Sequence, residues 1–421
     1  MASFAVPLSG LSAAQSELQY ISNNLANMNT TGYKDQNVSF SDLFSQASAS
    51  PTNGSGDPIQ SGTGVKIAAT DADFTEGNLN QTSIPSNMAI SGNGFFVVKG
   101  ADGAQDYTRA GDFTTNNAGQ LISPEGALLL GYPAVGGKID TSAPLQPLAV
   151  GSLTSPAQAT SNFSITANLN SGAAVGDTAP PSTFSVYDSL GESHTLAVSY
   201  TKTGVNTWSY NVSVPYADLS TGGTGNTTVA TGTLNFDSNG NLIMPPGGSI
   251  NLNIPGPGGA TLADGAANLS LNWKLTDSSG NGIVTQTATA SATSATNQDG
   301  YASGTLTSYT VQPDGTIAGS FSSGKTLSLG QVAVASFANI QGLQNVGSNM
   351  YQQTPASGAA VIGTGETGGR GSVVGGSVEQ SNVDISQEFA KLIAAQQAYS
   401  ANAKSITAFN QVSQATIAMI Q

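Results

Sequence analysis

The sequence has no cysteine, one histidine and very little charge. Without cysteine there are no disulfides, no thiolate metal sites and no sulfur nucleophile. A chain built this way does not depend on redox chemistry, which fits work outside the cell. Charged residues make up only 9%, far below the usual quarter. Just 11 are lysine or arginine, scattered singly against 25 acidic residues, for a formal charge of −14. No basic stripe exists to neutralise phosphates, so nucleic acid and anionic membrane are both poor partners. No apolar run reaches the roughly 20 residues that span a bilayer, so membrane insertion is not expected. The N-terminus also lacks the basic segment and apolar core of a cleaved signal peptide.

What the chain has instead is Ser, Thr, Asn, Gln and 51 glycines over 421 residues, enough for two or three cores. An uncharged, hydrogen-bonding surface suits protein packed against copies of itself better than a freely diffusing enzyme.

The two ends carry helical periodicity. Phe4, Leu11, Leu18 and Leu25 recur every seventh residue, with Ala14, Ile21 and Met28 beside them. Near the other end Leu392, Tyr399, Ile406 and Ile420 keep the same step, flanked by Phe389, Ala403 and Ile417. These are a/d seams, and two of them predict ends that pair with each other. Asn29-Thr30-Thr31-Gly32 should stop the first helix, and Asp384 with Gln387 should cap the second.

Between the ends the texture is that of strands. Residues 35–83 and 363–380 read as connectors, with Phe40, Leu43 and Phe44 placed to anchor a short helix. Met88-Ala89-Ile90 and Phe95-Phe96-Val97-Val98 predict strands around the Gly92-Asn93-Gly94 turn. That texture fills 84–149 and resumes over 298–362. Residues 150–297 form a separate β region, whose alternating runs around Val198, Trp208 and Trp273 predict a mostly antiparallel sandwich or barrel. The expected fold is multidomain α+β. Paired terminal coiled-coil helices (1–34 with 381–421) lead through connectors to an inner β domain, which holds an inserted outer β domain.

Asn23-Asn24-Leu25-Ala26-Asn27 and Thr30-Thr31-Gly32-Tyr33-Lys34 closely resemble the N-terminal signature of bacterial flagellar rod and hook proteins. Ser381-Asn382-Val383-Asp384 and Gln396-Gln397-Ala398-Tyr399 are similar to that family's C-terminal signature. Ala89–Phe96 and Tyr107–Phe113 resemble its shared β domain. The inserted region and Asn297-Gln298-Asp299-Gly300-Tyr301 resemble the hook branch rather than the shorter rod proteins.

The resemblance implies a structural subunit, not an enzyme. Copies would polymerise into a curved tube that joins rod to filament and carries torque as a universal joint in motility. It implies an extracellular place in the flagellum after export without a cleaved signal. Partners would be the chain itself, the distal rod, the hook cap and the hook–filament junction protein. Another axial protein, such as a junction or distal rod component, is the nearest alternative. A secreted adhesin or carbohydrate-active protein is a remote one. The seam residues Phe4, Leu11, Leu18, Ile21, Leu25, Phe389, Leu392, Tyr399 and Ile406 are expected to drive assembly. The signature residues are Asn23, Asn24, Asn27, Thr31, Gly32, Tyr33, Lys34, Asn382 and Asp384.

No cofactor, catalytic or metal site is expected. Gly363–Gly368 matches a dinucleotide fingerprint, but the glycines after it oppose the helix that such a site needs. Asp277 begins an EF-like loop that has Ala288 where a bidentate Glu is required. Asp71, Asp73 and Glu76 read as a solvated acidic turn. His194 opens an alternating strand with no nucleophile elbow nearby, and a surface position is expected for it.

Overall fold

The computed structural model describes residues 5–45, 61–151, 153–254 and 261–420. The chain is mostly strand, with long helices at its ends, α1 (Ala5–Ala26) and α2 (Ile385–Ile420). It divides into two compact units. The first comprises Met1–Gly151, Tyr309–Gly319 and Leu327–Gln421, and the second Ser152–Ser308 and Ser320–Thr326.

In the first unit α1 packs against α2. Asn24 Nδ2 donates to Glu388 Oε2 at 3.2 Å, and a Cβ on Gly10 would lie 2.9 Å from the Asn402 amide. An equal step forward along α1 is thus a step backward along α2, so the helices run antiparallel. Gly10 weakens the helix intrinsically, but its bare Cα admits Asn402. The cap of α2 forms as expected. Asp384 Oδ1 accepts from Ser386 N at 2.8 Å and from Gln387 N at 3.3 Å, while the Gln387 amide turns back to Asp384 Oδ2.

Where a short helix was expected around Phe40, Leu43 and Phe44, the chain forms a strand, Gln36–Ser45, paired antiparallel with Ser61–Ala72. Val38 and Phe40 alternate with Ser39 and Ser41, a period of two that a helix cannot satisfy. The Ser/Gly-rich stretch 46–60, read as part of the connector, lies outside the described residues. The later glycine-rich stretch also carries strands. Ser372–Gly375 pairs with Met88–Ser91, and Ser377–Glu379 pairs with Leu79–Gln81.

Met88–Ser91 and Phe95–Lys99 are strands as expected, but Gly92-Asn93-Gly94 does not join them as a hairpin. Phe95–Lys99 pairs instead with Gln105–Thr108, Leu128–Val135 and Val334–Ser336. It is buried on both faces. Phe96 and Val98 enter one core with Met88, Phe113 and Leu129, while Phe95 and Val97 enter another with Tyr107 and Tyr351.

The second unit is a sandwich of two five-stranded sheets. One is an antiparallel meander from Ser182–Tyr187 to Leu242–Met244. The other is mixed, because Asn162–Asn170 runs parallel to Leu269–Lys274 and to Val284–Thr287. Alternate residues of Asn162–Asn170 and Thr207–Pro215 are buried and share one core around Trp273. That ring stacks on Phe163 at 5.8 Å and meets Tyr210 edge-on at 5.4 Å. His194 departs from expectation. It is 4% exposed, because the strand Ser193–Gly204 places it on the same buried face as Leu196 and Val198.

Asp299, in the Asn297–Tyr301 motif, ties the start of this unit's sheet to its last strand. Its carboxylate accepts from Ser161 N, Asn162 N and Asn162 Nδ2 at 2.8–2.9 Å. Burial works against the charge, but the hydrogen bonds from Asn162 and Ser161 outweigh it and hold the pKa below the ordinary 3.8. A carboxylate depressed on folding stabilises above its unfolded pKa, and that stabilisation is lost as pH falls through the folded value. Asp299→Asn should therefore cost about 1–3 kcal/mol at neutral pH. Urea titrations should show the gap to the unaltered chain narrowing by about pH 3. An equal gap at both pH values would contradict this role.

Candidate functional site

The signature residues meet at the base of the helix pair, inside the first unit. After α1, Asn27 N donates to the Asn23 carbonyl and Thr30 N to the Asn27 carbonyl, and Gly32 then takes φ +67°. A side chain at Gly32 would strike the Arg109–Ala110 backbone at 2.5–2.7 Å, so glycine permits both the turn and the close approach. The same loop is held by Asn349 Nδ2, which donates to the Thr31 carbonyl at 3.0 Å.

Glu379 is the hub. It is fully buried, and Oε1 accepts from Lys34 Nζ at 2.6 Å and from Gly77 N at 2.9 Å. Its Oε2 lies 3.4 Å from Arg109 Nη1, and its backbone carbonyl accepts from Gly32 N at 2.8 Å. Lys34 also donates to the Thr75 carbonyl at 2.6 Å, and Arg109 to the Ile90 and Gly92 carbonyls at 3.0 and 2.7 Å. Burial pushes the pKa of both cations down, with Glu379 opposing it. Two cations facing one carboxylate in a dry site need further acceptors, which these carbonyls supply to Lys34 Nζ and to Arg109 Nη1 and Nη2, while Arg109 Nε is left without a partner among the described residues.

A second cluster lies beside it. Asn24 is 1% exposed, and its amide donates to Glu388, to the Gln36 carbonyl and to Asp35. Tyr33 donates to Asn24 Oδ1 at 3.0 Å, and burial, with Asp35 and Glu388 nearby, pushes its pKa up to about 12. Asn382 Oδ1 accepts from Asp35 N at 2.8 Å, and its amide donates to the Asp73 and Thr75 carbonyls. Lys391 donates to Glu388 at 2.6 Å and lies 3.8 Å from Asp35. Burial disfavours its charge, but Glu388 and Asp35 outweigh burial and hold its pKa up. Asn23 reaches Tyr33 Oη at 3.4 Å, and Asn27 bonds back to the Asn23 carbonyl. The arrangement is a polar weld joining both helix bases to the adjoining strands.

The seam residues divide differently. Phe4 lies outside the described residues. Ile21 is buried along with Pro7 and Ala14, while Leu11, Leu18 and Leu25 are half-buried. On α2, Ala395 and Glu388 are buried and Leu392 and Ile406 are half-buried, but Phe389 is 52% and Tyr399 38% exposed. Small Ala14 and Ala395 are buried along with Ile21, while the seam leucines are only half-buried.

Sequence reading missed Glu379, Arg109 and Glu388 as site residues. Their signal was scarcity: in a chain with so few charges, a charged residue inside or beside a motif is a candidate for buried pairing. The other candidate sites resolve into local structure. Gly363–Gly368 opens no helix and is closed by Arg370, which donates to the Thr364 carbonyl and to Thr367 Oγ1. Asp277 Oδ1 accepts from Ser279 N and Asn281 N in a turn. Asp71, Asp73 and Glu76 do not converge, each accepting from a different group: Ser39 Oγ, Thr75 N and Gly92 N.

Four sequence-family profiles match along the chain. These are the flagella basal body rod protein at residues 5–34, the flagellar hook protein FlgE/F/G D1 domain at 89–168, the flagellar basal body protein FlaE D2 domain at 177–301 and the flagellar basal body rod FlgEFG protein C-terminal region at 374–419. The flagellar hook protein FlgE of Salmonella typhimurium is 35% identical, covering 97% of this chain and 98% of that protein. That of Treponema pallidum is 34% identical, covering 95% of each. The crystal structure of Helicobacter pylori flagellar hook protein FlgE2 shares the fold, with TM-score 0.53 at 15% identity over 70% of this chain and 98% of that one.

Proposed function

The chain belongs to the flagellar hook protein family and is a structural hook subunit, and from that premise we propose how it assembles and works. The terminal helices pair as a coiled coil and pack against those of neighbouring copies, forming the inner wall of a curved tube. The observation that carries this reading is apolar surface left open on α2. Phe389, Ile393, Tyr399, Val412, Ile417 and Met419 are each 38–86% exposed in the single chain. Burying such side chains against neighbours stabilises by about 0.8 kcal/mol per CH₂. The polar weld at Glu379 and Asn24 supports this role by fixing the direction in which the helix pair leaves the β structure.

On this reading residues 1–34 with 381–421 are the assembly domain, 35–83 with 363–380 join it to an inner β domain (84–149 with 298–362), and 150–297 is the outer domain. The chain leaves the cell through the flagellar export route. It meets the distal rod at one end of the tube, and the cap and then the junction protein at the other. It catalyses nothing. A shorter distal-rod role fits less well, since hook relatives match along almost the whole chain.

The tube acts as a universal joint because its outer surfaces are weakly sticky. The outer strand Asn226–Phe236 shows threonines to solvent, Thr231 and Thr233 among them, and such faces exchange contacts as the tube bends. Thr231→Leu with Thr233→Leu should stiffen assembled tubes, read as a longer persistence length in electron micrographs. Unchanged stiffness would count against sliding outer contacts.

A further inference from the structure

We propose that Asp188, His194 and Asp264, in the second unit, bind one divalent transition-metal ion of the zinc class, with His194 Nε2 and one oxygen from each aspartate as protein ligands. Ligand atoms of the three residues lie within 4.8 Å of one another. His194 Nε2 is 3.2 Å from Asp188 Oδ2, the separation expected of adjacent donors around an ion with bonds of about 2.1 Å.

The site is built rather than accidental. Asp188 has no exposed surface, and its Oδ1 accepts from Leu190 N at 2.8 Å and Glu192 N at 2.9 Å. Those bonds leave Oδ2 facing His194. On the far side of the ring, Nδ1 lies 3.2 Å from Asp218 Oδ2. It nevertheless makes no well-formed hydrogen bond, although His194 is 4% exposed. Three loops converge to make this arrangement. Ala263 N donates to the Asp218 carbonyl at 3.0 Å, and Ala267 N donates to Ser189 Oγ at 3.2 Å.

Charge and donor type choose the ligand. Three carboxylates surround one imidazole, and among the described residues no lysine or arginine forms an ion pair with any of them. Asp188 is buried and faces the partly exposed Asp218 and exposed Asp264 across the ring, and like charges held that close repel. A cation bound between Asp188, Asp264 and Nε2 removes the repulsion. Asp218 then takes the position of the carboxylate that holds a ligating histidine by its other nitrogen. One nitrogen and two carboxylate oxygens suit zinc or manganese, whereas calcium prefers an all-oxygen shell. Asp264 is exposed and gives the ion a path from solvent.

The test is calorimetric titration of the full-length protein with zinc chloride, with thermal unfolding followed in parallel. The chain has no cysteine and no other histidine, so nitrogen-ligated zinc must use His194. One saturable equivalent is expected, with a zinc-dependent rise in Tm. His194→Gln and Asp264→Asn should each weaken binding at least about tenfold and abolish the rise. The exposed Asp264 makes its variant safe for folding. No saturable binding by the unaltered chain, or binding that both variants retain, would overturn the site. In the second case the zinc sits adventitiously on surface carboxylates.

Discussion

Replacing Glu379 by alanine is expected to destabilise the first unit by about 3–5 kcal/mol. The carboxylate is fully buried between Lys34 and Arg109 and also accepts from Gly77 N. Its removal strands two cations and a backbone donor where water does not reach, and the Lys34 side chain is itself 0% exposed. Losses of this size come from breaking a buried pair on one side only. Replacing both partners by apolar groups costs much less. Lys34→Met combined with Glu379→Leu should therefore fall short of the summed single changes by about 0.5–3 kcal/mol. Urea unfolding of the unaltered chain, Glu379→Ala, Lys34→Met, Glu379→Leu and the double variant measures both quantities. A loss below about 1 kcal/mol for Glu379→Ala would mean that the weld contributes little.

The second large effect separates assembly from stability. Val412→Asp with Ile417→Asp should abolish polymerisation while leaving monomer stability within about 0.5 kcal/mol. Both residues are about 60% exposed in the single chain. They lie toward the end of α2, beyond the stretch that the described part of α1 faces in the register of Gly10 with Asn402. No described residue loses a side-chain hydrogen bond or ion pair when they change, but each would place a carboxylate inside an interface between copies, where burial of an unpaired charge is prohibitive. Sedimentation of polymer, with Tm measured on the same samples, reads both properties. Normal polymer, or a fall in Tm matching the loss of polymer, would contradict the assignment.

The sequence made the helices, most strands and the cap at Asp384 legible because each follows from local periodicity or a local side-chain bond. Trp208 and Trp273 sit in runs whose alternation predicts the buried faces found in the sandwich. Strand pairing was less legible. Met88–Ser91 and Phe95–Lys99 read as neighbours across a glycine turn, yet each pairs with chain far away in sequence. The hairpin Gln36–Ala72 was hidden for a similar reason, since its partner strand lies beyond a long Ser/Gly-rich stretch.

The signature positions were visible as motifs, but their chemistry was not. That Lys34 and Arg109 share Glu379 is a tertiary fact with no periodic trace. His194 misled because an alternating strand has two faces, and one histidine cannot say which it occupies. The heptad rows located the helices, and on α1 the row of Ala14 and Ile21 is the buried one, whereas on α2 the buried Ala395 lies in neither row.

The most direct test of the assembly account is negative-stain electron microscopy of the purified full-length chain in a precipitating salt, beside a chain lacking residues 1–34 and 381–421. Tubes from the full-length chain alone, with the truncated chain remaining as dispersed particles, are the predicted result. Tubes from the truncated chain would contradict the account, because they would place the assembly contacts in the β domains.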